Sequence, residues 1–142
     1  MDKIEQILSF LDSLVECCRK YEKPLQAGAV KPWIKSLGSR LEWVQKNRDA
    51  GTDEALKQLG NSCLAFECYP FTIFMLQKYW NAALEGLIET VNYGGDWDTT
   101  GAMYGALAGA KGGMFFPNAW RGIVKGLEPL EKAAEGILAL RT

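Results

Sequence analysis

Two carboxylates and a hydroxyl crowd one short stretch of this chain. Asp96, Asp98 and Thr99 follow a Gly94-Gly95 pair, with only Trp97 between the acids, and run into a segment made almost entirely of Gly and Ala. All three side chains offer hard oxygen donors, the kind Mg²⁺ or Mn²⁺ takes without His or Cys. Asp and Thr also lead ordinary helices, where their oxygens accept the orphan N–H groups of the first turn. A cation corner and a plain helix cap are therefore both open on these residues alone. The chain contains no His, which removes Ser-His-Asp and Cys-His catalytic units and makes a zinc site improbable.

The elements around this corner read as helices throughout. Between Lys3 and Tyr21 the apolar residues Ile4, Ile7, Leu8, Leu11, Leu14, Val15 and Cys18 recur at the spacing of one buried helix face. Lys23-Pro24 ends that helix, a connection carrying Gly28 follows, and Pro32 suits the first position of the next helix, whose inward stripe is Trp33, Leu37, Leu41 and Val44. Asn47 to Gly51 is a polar turn. Thr52 is expected to cap a short helix starting at Asp53. After Gly60-Asn61 the segment through Phe66, Phe71, Ile73, Phe74, Met75 and Leu76 has no polar face, which places it at the centre of a bundle. Pro70 within it predicts a restart or a kink. Asn81 is expected to cap an amphipathic helix with Leu84, Leu87, Ile88 and Val91 on one side, delivering the chain to Gly94-Gly95.

The helix expected after Thr99 repeats Gly101, Gly105 and Gly109, with Ala102, Ala106 and Ala110 beside them. Glycine costs about 1 kcal/mol at each helix-interior position. The repetition implies that something comes close, either a neighbouring helix or a ligand. Gly112-Gly113 ends the helix, a turn forms at Pro117, and a final amphipathic helix uses Leu130, Ala133, Ala134, Ile137 and Leu138. No alternating strand pattern of useful length occurs. The fold class is all-α, a compact multi-helix bundle, with residues 1–142 as a single helical domain.

Composition narrows the task. At 142 residues the chain can bury one sizeable core, and 48% hydrophobic with 23% charged residues is ordinary for a globular protein. A net charge of −1 leaves no basic surplus for a phosphate backbone, so nucleic acid is not an expected partner. No apolar run approaches the roughly 20 residues that span a membrane. Met1 leads straight into a charged periodic segment, which points to the cytoplasm. Cys17, Cys18, Cys63 and Cys68 form no Cys-x-x-Cys pair and are expected as buried, inert thiols.

The segment Asn92 to Gly109, with its Gly94-Gly95-Asp96-x-Asp98-Thr99 core and the Gly-Ala helix behind it, resembles the C-terminal signature of the ADP-ribosylglycohydrolase family. Gly60-Asn61-Ser62 and Glu67-Cys68-Tyr69-Pro70 upstream, and Met114-Phe115-Phe116-Pro117-Asn118-Ala119-Trp120 downstream, agree in order and spacing. The resemblance covers roughly residues 51–142, with residues 1–50 forming two amphipathic helices before it, and it implies the C-terminal portion of that family's helical fold.

The resemblance implies metal-dependent hydrolysis of an ADP-ribosyl glycosidic bond. It makes Asp96, Asp98 and Thr99 ligands of Mg²⁺ or Mn²⁺, and it makes Gly94, Gly95 and Trp97 substrate-binding, the glycines by turning tightly and presenting N–H groups to an anion. Trp97 stands where a smaller residue is usual and either stacks on a ring or fills space. The family's Thr-Asp-Asp-Thr motif and upstream Glu are absent, and Thr52-Asp53-Glu54 is only a lookalike. Three ligands are too few for a metal pair, so weak or absent metal binding is expected of the chain alone. Its expected partners are an ADP-ribosyl substrate and either a separate N-terminal half or a second copy. The competing reading is a non-catalytic helical module that binds a protein or nucleotide and keeps the signature for packing. An apolar surface around Phe71 to Leu76 is expected to need cover, by a partner, by self-association or by the first helix folding back.

Overall fold

The computed structural model describes residues 3–22 and 36–140, with side chains from residue 5 onward. Among these residues it contains eight helices and no strand: α1 (Lys3–Tyr21), α2 (Leu37–Lys46), α3 (Thr52–Leu59), α4 (Ala65–Lys78), α5 (Ala83–Asn92), α6 (Trp97–Gly112), α7 (Asn118–Arg121) and α8 (Leu127–Ala139). The expected roles of Pro24, Gly28, Pro32 and Trp33, and of the Ile4 side chain, lie outside the described residues.

Helix α4 is the axis. Six consecutive residues, Phe71 to Leu76, are buried on every side, and α2, α3, α5 and α6 all pack on it. The expected exposed patch is thus already covered within this chain, with Ile7, Leu11 and Val15 of α1 joining the same core. The helix neither stops nor restarts at Pro70. A proline inside a helix forfeits one backbone bond at a cost of about 3 kcal/mol, and the burial of the following turn and a half outweighs that local penalty.

Two expected caps are not formed. Helix α3 begins at Thr52 itself, with Gly51 at its N-cap and no side-chain bond there. Thr52 is buried against α4, and its hydroxyl instead accepts from Lys78 Nζ at 3.0 Å. Asn81 is exposed, and Ala82 occupies the N-cap of α5, again without a side-chain bond. Helix α2 is capped from two sources. The Ser36 hydroxyl accepts from Ser39 N–H at 3.1 Å, and the Glu22 carboxylate reaches across from the end of α1 to accept from Leu37 and Gly38 N–H.

The inward face of α5 also differs from expectation. Gly86 and Thr90 are the buried residues, while Leu84, Leu87 and Val91 are half-buried and Ile88 is exposed. The reason lies in α6, whose buried stripe is Thr100, Tyr104 and Ala108. Tyr104 crosses directly over Gly86, where a Cβ would lie 2.0 Å from the tyrosine hydroxyl. The glycine repeat of α6 serves close packing only at its first member. A Cβ at Gly101 would meet Val91 at 2.7 Å, one at Gly105 would touch only Phe116 at 3.9 Å, and one at Gly109 would meet nothing within 4 Å.

Helices α7 and α8 bury no residue. The expected stripe of α8 therefore faces outward, with Leu130, Ile137 and Leu138 all more than 60% exposed. Of the cysteines, only Cys68 is buried; Cys17 and Cys63 are exposed and Cys18 is intermediate, which corrects the expectation of four interior thiols. None of the described helices is long and apolar enough to cross a membrane.

Candidate functional site

The acidic corner is held by a loop it never meets in sequence. Gly94 and Gly95 both have positive φ, +72° and +68°, a region that costs residues with a Cβ about 1–2 kcal/mol. These successive left-handed residues turn the chain onto the 60–61 bend. There the Asn61 carbonyl accepts from Asp96 N–H at 2.9 Å, and Asn61 Nδ2 donates to the Gly94 carbonyl at 2.7 Å. Gly95 lies so close that a Cβ would stand 2.1 Å from the Asn61 carbonyl oxygen. Asn61 is itself buried. The contact thus clamps the start of α6 to the end of α3.

A second set of contacts stiffens the clamp from behind. Buried Arg40 of α2 donates to the Leu59 carbonyl, lies over the Phe66 ring at 5.2 Å and sits 3.8 Å from a Glu67 carboxylate oxygen. Burial holds its guanidinium below the usual arginine range, partly offset by Glu67. Glu67 in turn accepts from the Ser62 hydroxyl and fills the space beside Gly60, whose φ is +77°. The bend carrying Asn61 is therefore fixed at both ends. Asn61 was visible in sequence only as part of a Gly-Asn-Ser break, and Arg40 gave no signal, since an arginine on an amphipathic helix normally faces solvent.

Helix α6 begins at Trp97, so Asp96 is its N-cap residue and Asp98 and Thr99 lie in its first turn rather than before it. Asp96 makes no side-chain capping bond. Its carbonyl accepts instead, from Thr100 N–H at 3.0 Å and from the buried Thr100 hydroxyl at 2.9 Å. The Asp98 carboxyl is held below its ordinary range first by the neighbouring Asp96 side chain and then by the Thr99 N–H, 3.0 Å from Asp98 Oδ1. Two acids meeting at a solvent-facing helix start are what a shared cation would stabilise. Beneath them sits Cys68, its thiol pushed up first by burial and then by the Asp96 carboxylate.

Asp96, Asp98 and the exposed Thr99 hydroxyl form a coherent but partial set of hard donors. Among the described residues no cluster of three or more His, Cys, Asp or Glu side chains is positioned to hold a metal ion. The chemistry of the donors suits a hard divalent ion, which wants about six oxygens, and the corner provides half of them at most. Trp97 is 57% exposed, so it does not fill the core. With Asp98, Leu87, Ile88, Val91, Gly101, Ala102 and Trp120 it walls a largely apolar groove of about 390 Å³ beside the carboxylates. The α5 residues that failed to turn inward are the wall of this groove.

Comparison with known proteins gives the chain its relatives. Bovine ADP-ribosylhydrolase ARH3 is 27% identical over 149 residues, covering 94% of this chain and 40% of that protein. Human ADP-ribosylhydrolase ARH3 is 30% identical over 115 residues, covering 73% and 31%. An uncharacterized protein of Archaeoglobus fulgidus is 31% identical over 113 residues, covering 78% and 36%. The chain thus spans about a third to two fifths of the length of these relatives. No solved structure matches it. The family model for ADP-ribosylglycohydrolase matches residues 2–142, so the match reaches through α1 and α2 as well as the motif-bearing region, and the chain belongs to the ADP-ribosylglycohydrolase family.

Proposed function

We propose that this chain supplies the C-terminal share of a metal-dependent site that hydrolyses the glycosidic bond joining ADP-ribose to an acceptor. The observation that carries the reading is the placement of Asp96 and Asp98 at one helix start with neither acid spent on the N–H groups that helix capping would use, apart from the single Thr99 contact. Asp96 and Asp98 would hold Mg²⁺ or Mn²⁺, with the Thr99 hydroxyl as a neutral donor. When bound, such an ion orients ribose hydroxyls and supplies Lewis-acid charge to the reacting centre. Asn61 and Gly95 keep the two carboxylates in place, which limits the reorganisation needed on binding. Trp97 and the groove behind it would seat an apolar part of the substrate.

The general base and the remaining metal donors belong to a separate segment in this reading, either an N-terminal half or a second copy of the chain, and the lone chain binds ions weakly. A cytoplasmic setting is part of the proposal, supported by four unpaired cysteines. The test mixes the chain with a polypeptide carrying the family's Thr-Asp-Asp-Thr motif and follows release of ADP-ribose from a modified acceptor with Mg²⁺ or Mn²⁺. Turnover that vanishes in Asp96→Ala and Asp98→Ala supports the reading. If those variants only lower the melting temperature and no mixture turns over, the chain is a packing or interaction module instead.

A further inference from the structure

The groove beside the acidic corner discriminates between the two ends of an ADP-ribosyl substrate. Its lining contains one carboxylate, Asp98, and no lysine, arginine or histidine. A pyrophosphate leaves water only for cations or converging N–H donors, so the ADP side does not fit there. The inference rests on the reading that an ion at Asp96 and Asp98 holds the ribose. The group lying in the groove is then the one bonded to the anomeric carbon, which is the leaving group. At about 390 Å³ the groove has the size of a small-molecule site, about 300–1,000 Å³.

Two indoles wall this groove, and both keep surface open to a ligand, Trp97 at 57% and Trp120 at 37% exposure. The Trp97 side chain has no hydrogen-bond, ring or cation partner among the described residues, and Trp120 meets the Phe116 ring at 6.1 Å. An indole face carries negative potential, and Asp98 adds a full negative charge at the same wall. Flat, largely apolar and positive is the ligand these three side chains complement. A carboxylate has two oxygens and about four acceptor sites, so Asp98 can face an ion and the groove together. A guanidinium is also flat and positive, but it brings five N–H donors to a lining with a single side-chain acceptor, which would leave most of them unpaired. A pyridinium ring carries its charge without any N–H.

We propose that the groove binds a pyridinium leaving group, so that the completed site cleaves an N-ribosyl pyridinium such as the nicotinamide end of an oxidised dinucleotide. The oxygen of water forms a bond to the anomeric carbon as the carbon–nitrogen bond breaks. The bonding pair goes to the ring nitrogen, leaving a neutral pyridine, and the water gives up one proton. No oxidant or reductant takes part. Because the ring loses its charge on cleavage, its hold on Asp98 and the two indoles weakens as product forms.

The experiment titrates the full chain, with no metal and no second polypeptide, with N1-methylnicotinamide, nicotinamide and methylguanidinium, following the Trp97 and Trp120 indole N–H resonances by NMR. The pyridinium should saturate both signals and bind about fivefold more tightly than nicotinamide, the uncharged form of the same ring. Trp97→Leu should erase that preference and, at so exposed a position, melt with the parent. Asp98→Asn should weaken the pyridinium and leave nicotinamide unchanged. The parent mixed with the Thr-Asp-Asp-Thr polypeptide should then release nicotinamide from the oxidised dinucleotide. The proposal is overturned if nicotinamide or methylguanidinium binds as well as the pyridinium, if Trp97→Leu binds it as the parent does, or if the mixture frees ADP-ribose from a modified acceptor but no nicotinamide from the dinucleotide. Pyridinium binding with no turnover of any ADP-ribosyl substrate would count against the hydrolysis proposed above while supporting the ligand assigned to the groove.

Discussion

Gly94 and Gly95 share nearly the same backbone conformation but not the same surroundings, and alanine substitution should separate the two effects. In Gly94→Ala the only cost is the left-handed φ, since nothing lies within 4 Å of the new Cβ, so the loss should be about 1–2 kcal/mol. In Gly95→Ala the same cost is joined by a Cβ 2.1 Å from the Asn61 carbonyl oxygen. Backbone cannot swing aside as a flexible side-chain tip can, so the Asp96 N–H bond to Asn61 should break, adding about 1 kcal/mol for that bond and a similar amount for displacing the loop. At roughly 3 °C per kcal/mol for a chain of this size, calorimetry should show melting about 3–6 °C lower for Gly94→Ala and about 9–12 °C lower for Gly95→Ala. Weak Mn²⁺ binding, followed by paramagnetic broadening of the Thr99 amide, should survive the first change and disappear in the second. Equal melting losses in the two variants would show that Asn61 does not clamp the acidic corner, and the account of how the site is held would fail.

Asp98 should titrate below the usual carboxylate range of about 4 in a carbon-detected NMR titration, and Asp96→Ala, which removes the neighbouring side chain's contribution, should move it back up. Because its folded value is depressed, its contribution to stability is present above the unfolded value and fades as pH falls through the folded one; an Asp98 midpoint insensitive to Asp96→Ala would remove the influence of Asp96 on it. Burial pushes the Tyr104 hydroxyl up to about 12. Its share of stability is therefore intact below the unfolded value of about 10 and is lost as pH rises from there through the folded value. Tyr104→Phe should flatten that alkaline decline and, since the hydroxyl has no partner, should leave neutral-pH stability unchanged or raised. Gly86→Ala should destabilise by about 1–3 kcal/mol, and Tyr104→Phe should recover part of that loss in a double-mutant cycle, the remainder reflecting Tyr79, 2.4 Å from the same Cβ position. Arg40→Met should cost roughly 3 kcal/mol by leaving Glu67 and the Leu59 carbonyl without their cation, measurable by urea unfolding; a loss below about 0.5 kcal/mol, typical of surface changes, would refute its role behind the Asn61 bend.

The sequence alone determined that this is an all-helical protein, that α4 is central, and that Asp96, Asp98 and Thr99 gather at one helix start. Those features are written in local terms. A run without a polar face has to be buried, and residues within one turn are neighbours whatever the rest of the chain does. The same locality explains the failures. Thr52 and Asn81 look like caps because capping is judged from adjacent residues, yet burial against α4 gave the Thr52 hydroxyl a different partner. Leu84, Leu87, Ile88 and Val91 look like an inward stripe because apolar periodicity says how wide a face is but not which neighbour is available. The passage of Tyr104 over Gly86 rotated α5 so that Gly86 and Thr90 went inside and part of its apolar face became a groove wall. Only the tertiary structure could place Asn61 against Gly95, 34 residues away in the chain, because a backbone carbonyl carries no residue-type signature and its partner is decided by how α3, α4 and α6 pack.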